Sequence, residues 1–440
     1  MKLISKIARV FNEKLSKNNS LAYLVYLILP NNNVILGREY RRIKRSISLV
    51  APPQLDSLKS MLNFVVNNVP FYSDQNTIKY KDFPFINKKI IVDEEEHFFS
   101  KVYKSRDYEV VTSGGTTGIP AKYYSPKNRY KKEYAYFHFL WEKLGYTNQL
   151  RAVLRNTSLS EDRDYKINPI TREVVFDAFR NTDLYFMQIY KIIKKLKINY
   201  LQAYPSSAYN FLNFCYQKSL DLKFLKGVFL SSESYLEYQQ LLFEKKLNLK
   251  VISVYGHSER LILIYRDFAT GEHKVLHQYG FFDLVDTNGN SITEENIVGE
   301  IVGTSLDNFG YPLINYKTGD YTSYKKYNSN GECTLNEILS RREDLRIYNK
   351  DESYVSPTAL NMHGEFYTKI KGLQYFQKTK GKLKIKIIKS NTYRYEDELF
   401  LINFMTERFS PTTEITIEYV HKLKTTNSGK NLLLESKIEY

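Results

Sequence analysis

Between Thr112 and Gly118 the chain reads TSGGTTG, three glycines and four hydroxyl residues in succession, closed by Pro120. Glycine admits positive φ and close backbone approach, and hydroxyls add short donors. Thr112, Ser113, Gly114, Gly115, Thr116, Thr117 and Gly118 can therefore fold round a cluster of anionic oxygens, of which phosphate is the obvious source. The commonest phosphate loop needs a second Gly followed by Lys, five positions after the first Gly. Here Ile119 stands at that distance from Gly114, which excludes that loop type. A polar surface turn explains the same composition, and at this point both readings stay open.

Four further stretches carry chemistry. LSSES (230–234) brings Ser232 and Glu233 to the end of an apolar run, and SVYGHSER (253–260) presents the Tyr255 ring, a turn at Gly256, His257 and the carboxylate of Glu259. YKTGD sets Asp320 behind a Gly turn, and TTNSGK puts the cation of Lys430 at the end of a polar loop. Each has a plainer explanation as a helix cap or an exposed turn.

The elements that must position these residues are legible from periodicity. QLDSLKSMLNFVVNNVPFY (54–72) places Leu55, Leu58, Leu62 and Val65 or Val66 on one helical stripe ending near Pro70. Helical spacing recurs over 130–144, 184–196 and 235–247, and the apolar runs RAVLR, INYLQAY, LKGVFLSS and LKVISVYG lie between. Strands alternating with helices indicate an α/β domain with a largely parallel sheet, whose ligands bind at the carboxyl ends of the strands. After Gly271, two period-two runs flank Asn288-Gly289 and predict a hairpin in an appended β subdomain. Beyond a charged, aperiodic stretch at 341–350, KLKIKII and EITIEYV read as strands and YEDELFLINFMTERF as a helix, a small α+β domain.

With 440 residues the chain exceeds one core, so two or more domains are expected. The net charge is +16, and residues 1–60 hold eleven Lys or Arg against Glu13, Glu39 and Asp56. Within that basic end LAYLVYLIL (21–29) is too short to cross a bilayer, which needs about 20 residues. It reads either as a core helix beside solvated charges or as a segment lying on a membrane surface. Nucleic acid is not an expected partner, since no Cys/His finger, RNP-like motif or long basic run is present. Cys215 and Cys333 are the only cysteines, which suits a cytoplasmic location and leaves no thiolate-rich zinc site.

Taken in order, the loop at 113–118, Tyr-Gly-x-x-Glu at 255–259, Thr-Gly-Asp at 318–320, Arg341 and Gly-Lys at 429–430 resemble the motif series of the adenylate-forming superfamily of acyl-CoA ligases. The spellings SGGTTGIP, AYPSSAYNF, FLSSES with YGHSER, and VPFY are similar to the branch of phenylacetate-CoA ligases and CapK-type capsular polysaccharide proteins. The resemblance implies a large ATP- and acyl-binding domain (1–340), a hinge at 341–345 pivoting on Asp344, and a small mobile carboxyl-terminal domain (346–440). It implies that Thr112 to Gly118 hold ATP phosphates, that Ser232, Glu233, Tyr255 and Gly256 surround the adenine, and that Asp320 and Arg341 hold the ribose. Glu259 would help bind Mg2+, Lys430 would stabilise the α-phosphate under attack, and Tyr204 and His257 would border the acyl group.

The implied activity is adenylation of a carboxylic acid, then acyl transfer to an acceptor in surface polysaccharide biosynthesis. That acceptor is a sugar-linked amine or hydroxyl, or the thiol of CoA if the chain is an acyl-CoA ligase. A catalytically silent subunit of a glycan assembly complex is the third reading. Two departures from the motif pattern stand out: Ser340 replaces the Gly expected before Arg341, and Ala121 separates Pro120 from Lys122, so Lys122 is assigned no phosphate.

Overall fold

The computed structural model describes residues 18–48, 52–113, 121–155, 157–160, 162–339, 345–357, 359–360, 362, 366, 369–424 and 432–438. They form two compact units that cut the chain several times. Unit one takes 1–46, 131–253 and 405–411, and unit two takes 47–130, 254–404 and 412–440.

Unit one is built on a parallel sheet in which three strands fall on the predicted apolar runs and a fourth, Glu173–Val175, was not expected. Gly227–Ser231, Tyr200–Ala203, Arg151–Leu154 and Glu173–Val175 pair in that order, with Lys166–Asn168 antiparallel at the edge. Their largely apolar character follows from burial, and the helices Asp183–Lys195 and Pro205–Gln217 supply cover. Arg151 is the one fully buried polar side chain among them, 1% exposed. It is tolerated because it donates to Gln202 Oε1 at 2.7 Å and the Thr171 carbonyl at 2.6 Å, pairs with Glu173, and lies 4.9 Å over the Trp141 ring.

Unit two holds the β subdomain, in the antiparallel order Phe281–Val285, Val298–Thr304, Tyr316–Tyr327, Cys333–Leu335, His273–Val275 and Leu263–Arg266. The expected pairing is present, but not as a two-residue hairpin. Phe281 pairs with Thr304, so the connection runs over 286–297. Asn288-Gly289 serves instead as a local turn in which the Asp286 carboxylate accepts from the backbone of Asn288 and Asn290. The helix Leu55–Asn68 buries Leu58, Met61, Leu62 and Val65, each worth about 2 kcal/mol of transfer free energy. Leu55 leaves the predicted stripe, 63% exposed, and Met61 takes its place. The predicted helix at 235–247 is a single α turn, Glu237–Gln240, that widens into a π-helix over Leu241–Lys246.

The small carboxyl-terminal domain has a four-stranded sheet in the order Glu414–Tyr419, Lys382–Lys389, Ile370–Thr379 and Leu434–Ser436, with one antiparallel pair at its centre. Leu383, Ile385 and Ile387 face inward and Lys382, Lys384 and Lys386 alternate with them, as the period-two pattern requires.

Candidate active site

The strand Val251–Gly256 ends in a turn over His257 to Arg260, closed by the Arg260 N–H donating to the His257 carbonyl at 3.0 Å. Arg260 sits at φ 57°, a left-handed conformation costing a non-glycine residue about 1–2 kcal/mol, so the surroundings must impose it. Buried Arg129 does so. Its Nη2 donates to the Arg260 carbonyl at 2.9 Å, its Nη1 pairs with Asp307, and its guanidinium lies 4.9 Å over the Tyr279 ring. Gly280 makes room on the other side, since a Cβ there would stand 1.8 Å from the Leu261 carbonyl oxygen.

The turn presents Glu259 to a set of donors. Tyr316 donates its hydroxyl to Oε1 at 2.6 Å, His257 Nδ1 lies 3.1 Å from Oε2, and the Tyr123 hydroxyl lies 3.4 Å from that of Tyr316. Burial pushes the Glu259 carboxyl up, but the His257 hydrogen bond and charge, with the Tyr316 and Tyr123 hydroxyls, outweigh it. The group is held well below the usual carboxylate range. Burial and the Glu259 charge push both tyrosines well above their usual pKa of 10, so they remain donors. An ionised carboxylate only accepts, so Nδ1 carries the histidine proton. Nε2 is buried without a hydrogen-bond partner among the described residues.

Asp320 lies on the strand Tyr316–Tyr327, four residues after Tyr316. Gly319 takes φ 76°, and Thr318 Oγ1 accepts the Asp320 N–H at 3.1 Å while donating to the Ile301 carbonyl at 2.9 Å. Tyr255 donates its hydroxyl to Asp320 Oδ2 at 2.9 Å. Burial, then the Asp320 charge, raises the Tyr255 pKa well above 10. Tyr255, expected only to offer a ring face, is thus also the group that orients Asp320.

Thr112 and Ser113 end the strand Tyr108–Ser113, which pairs antiparallel with Ala121–Pro126 in the register Ser113 to Ala121 and Thr112 to Lys122. The glycine-rich sequence is therefore the connection of a β-hairpin, and Thr112 is buried. Tyr123 links this hairpin to the Glu259 network. Gly114, Gly115, Thr116, Thr117 and Gly118 lie outside the described residues, as do Arg341, Asp344 and Lys430. A cavity of about 20 Å³ opens beside Glu259, with Ser125, Ser258 and Arg260 in its wall. That is room for one water and too little for an acyl group.

Three of the predicted residues belong to unit one. Tyr204 N-caps the helix Pro205–Gln217, and its ring lies 5.4 Å from the Arg155 guanidinium, which also reaches Ser232 Oγ at 3.4 Å. Ser232 takes φ 74°. Glu233 accepts from the Ser206 N–H at 2.9 Å and the Ser206 hydroxyl at 3.1 Å, a carboxylate at a helix N-terminus, where the dipole favours it. Arg155, which touches the predicted residues Tyr204 and Ser232, was not singled out in the sequence. Its one signal is its place directly after an apolar strand, where many residues are inert.

Glu259 suits Mg2+ as a single hard oxygen donor that is already ionised. Among the described residues no group of three His, Cys, Asp or Glu could hold a metal alone, so phosphate oxygens and water would have to complete the shell.

Residues 347–437 match the family model of the CapK C-terminal domain. The chain carries a CapK-type carboxyl-terminal domain. No curated protein matches the sequence. Among solved structures it resembles 2-hydroxyisobutyryl-CoA ligase in complex with 2-HIB-AMP and CoA in the thioesterification state, 13% identical over 87% of this chain and 89% of that one, with a TM-score of 0.55. An open conformation of that ligase, also with 2-HIB-AMP and CoA, is 13% identical over 87% and 90% of the two chains, with a TM-score of 0.51. The chain has the fold of the adenylate-forming ligases.

Within the CapK-type domain, one buried side chain ties Lys424 to Leu432. Gln374 donates to the carbonyls of Lys424 and Leu432 at 3.0 and 2.8 Å and accepts the Lys424 N–H at 3.2 Å. The Leu432 N–H donates to the Lys424 carbonyl at 3.1 Å, so both ends of the 425–431 connection are closed together.

Proposed function

We propose that this chain adenylates a carboxylic acid with ATP, releasing pyrophosphate, and passes the acyl group to an acceptor. The observation that carries the reading is the unit-two constellation in this fold: a buried, ionised Glu259 beside the phosphate-loop hairpin, and Asp320 oriented by Tyr255. In this role the backbone and hydroxyls of Thr112 to Gly118 hold the triphosphate, Asp320 and Arg341 hold the ribose hydroxyls, and Lys430 balances charge at the α-phosphate. Mg2+, when bound, would neutralise phosphate charge beside Glu259. Tyr316 and His257 keep Glu259 ionised and aimed, and His257, whose Nε2 has no hydrogen-bond partner among the described residues, borders the acid. Asp344 is the pivot between the two half-reactions.

In-line displacement at phosphorus spreads negative charge over the phosphoryl oxygens, so positioning and a cation do most of the catalysis. The acceptor we favour is an amine or hydroxyl on a sugar, in surface polysaccharide assembly, on the strength of the CapK-type domain. The CoA thiol is the second reading, favoured by the ligase of similar fold that binds CoA. Measuring AMP release from a cognate acid with an amino sugar on a diphosphate carrier against CoA separates them. Faster release with the sugar supports the first, and stoichiometric thioester formation with CoA supports the second.

A further inference from the structure

The helix Asn19–Ile28 is two-faced in a way its sequence leaves open. Asn18 caps it through the Leu21 N–H, and Asn19 ties it to the edge strand of unit one, accepting from the Ile167 N–H at 3.0 Å and donating to the Tyr165 carbonyl at 2.9 Å. Ala22 is buried, and Tyr23 and Tyr26 pack on the unit-one core. The other face is bare: Leu21, Leu24, Leu27 and Ile28 are 45, 59, 59 and 81% exposed, and Val34 follows at 58%. Four large aliphatic side chains at i, i+3, i+6 and i+7 form one stripe, and an exposed apolar patch on a docked helix marks a contact surface.

What the stripe fits is told by its neighbour in the chain. The helix Gly37–Ser46 buries Tyr40 against His138 and exposes Arg38, Arg42 and Arg45, a cationic face at i, i+4 and i+7. Lys2, Lys6, Arg9, Lys14 and Lys17 add five more cations before the apolar helix. A second copy of this chain is a poor occupant, because it would bring the same cations to the contact, and the chain carries +16 overall. An anionic bilayer meets both features: acyl chains take the leucines and phosphate headgroups take the arginines. No described helix is long and apolar enough to cross a membrane, so the helix would lie in the interface.

We infer that the Leu21, Leu24, Leu27 and Ile28 face is a docking surface for an anionic lipid bilayer, with Arg38, Arg42 and Arg45 as its electrostatic partners. The inference goes beyond the proposed adenylation and does not depend on it. Co-sedimentation with vesicles of phosphatidylcholine alone, or with phosphatidylglycerol added, tests it on the full chain. Binding should require phosphatidylglycerol and weaken about fivefold for each arginine replaced among R38Q, R42Q and R45Q. It should weaken further as salt rises from 0.15 to 1 M.

The double variants L24S/L27S and L24D/L27D should both lose at least about tenfold in partitioning with unchanged circular dichroism. Failure to bind phosphatidylglycerol vesicles overturns the inference, as does undiminished binding by folded L24S/L27S. A concentration-dependent dimer that L24S/L27S abolishes would assign the face to self-association instead and equally overturn it.

Discussion

A buried carboxylate stays ionised only if its oxygens find donors, and Glu259 finds them in Tyr316 and His257. The pH consequence follows from the direction of the shift. The folded pKa is depressed, so the stabilisation is present above the unfolded carboxylate pKa and is lost only as pH falls through the lower folded value. Tyr316→Phe should cost about 1.5–3 kcal/mol, the worth of a hydrogen bond to a charged group. The gap between wild type and variant in urea denaturation should be the same at pH 8 and pH 5, since the folded carboxylate is ionised at both. A gap that closes by pH 5 would mean that Glu259 is not held ionised. Glu259 and Asp320 were legible in the sequence because carboxylates behind Gly turns are conspicuous. Arg129, Arg155 and the orienting role of Tyr255 were not, because each acts on partners distant in the chain: Asp320 is 65 residues beyond Tyr255.

At the scale of elements, Arg151–Leu154, Tyr200–Ala203, Gly227–Ser231, Lys382–Lys389 and Glu414–Tyr419 follow the periodicity, because burial on one or two faces writes itself into spacing, whereas Glu173–Val175, Ile370–Thr379 and Leu434–Ser436 were not read from it. Long-range closure leaves no such trace. Gln374 reads as one polar residue in a strand, yet it is fully buried and joins Lys424 to Leu432 across 50 and 58 positions. Gln374→Leu should leave the Leu432 carbonyl and the Lys424 N–H without this partner, with the Lys424 carbonyl keeping only the Leu432 N–H, and destabilise the small domain by about 1–3 kcal/mol. If the closure serves Lys430, pyrophosphate exchange in this variant should fall several-fold with ATP affinity unchanged. Equal losses in both would make Gln374 a purely structural residue. The N-terminal run shows the converse limit: periodicity announces a helix at 21–29, but only packing shows that Ala22 faces the core while Leu24, Leu27 and Ile28 face out.

Over the whole molecule, the proposed nucleotide-holding groups Glu259 and Asp320 lie outside the stretch that matches the CapK-type domain, and the proposed transition-state cation, Lys430, lies within it. Separate failure modes should follow. Asp320→Ala should weaken ATP binding itself. Lys430→Ala should bind ATP normally and lose about 3 kcal/mol of transition-state stabilisation, roughly a hundredfold in rate. Isothermal titration and exchange kinetics on the same two preparations distinguish them, and identical defects would contradict the division of labour. The central claim is tested most directly by acid-dependent exchange of labelled pyrophosphate into ATP by the wild-type chain, across aliphatic, aryl, hydroxy and amino acids. The predicted result is exchange with at least one acid, reduced about a hundredfold by Lys430→Ala. No acid-dependent exchange with any class, or exchange that Lys430→Ala leaves intact, would contradict it.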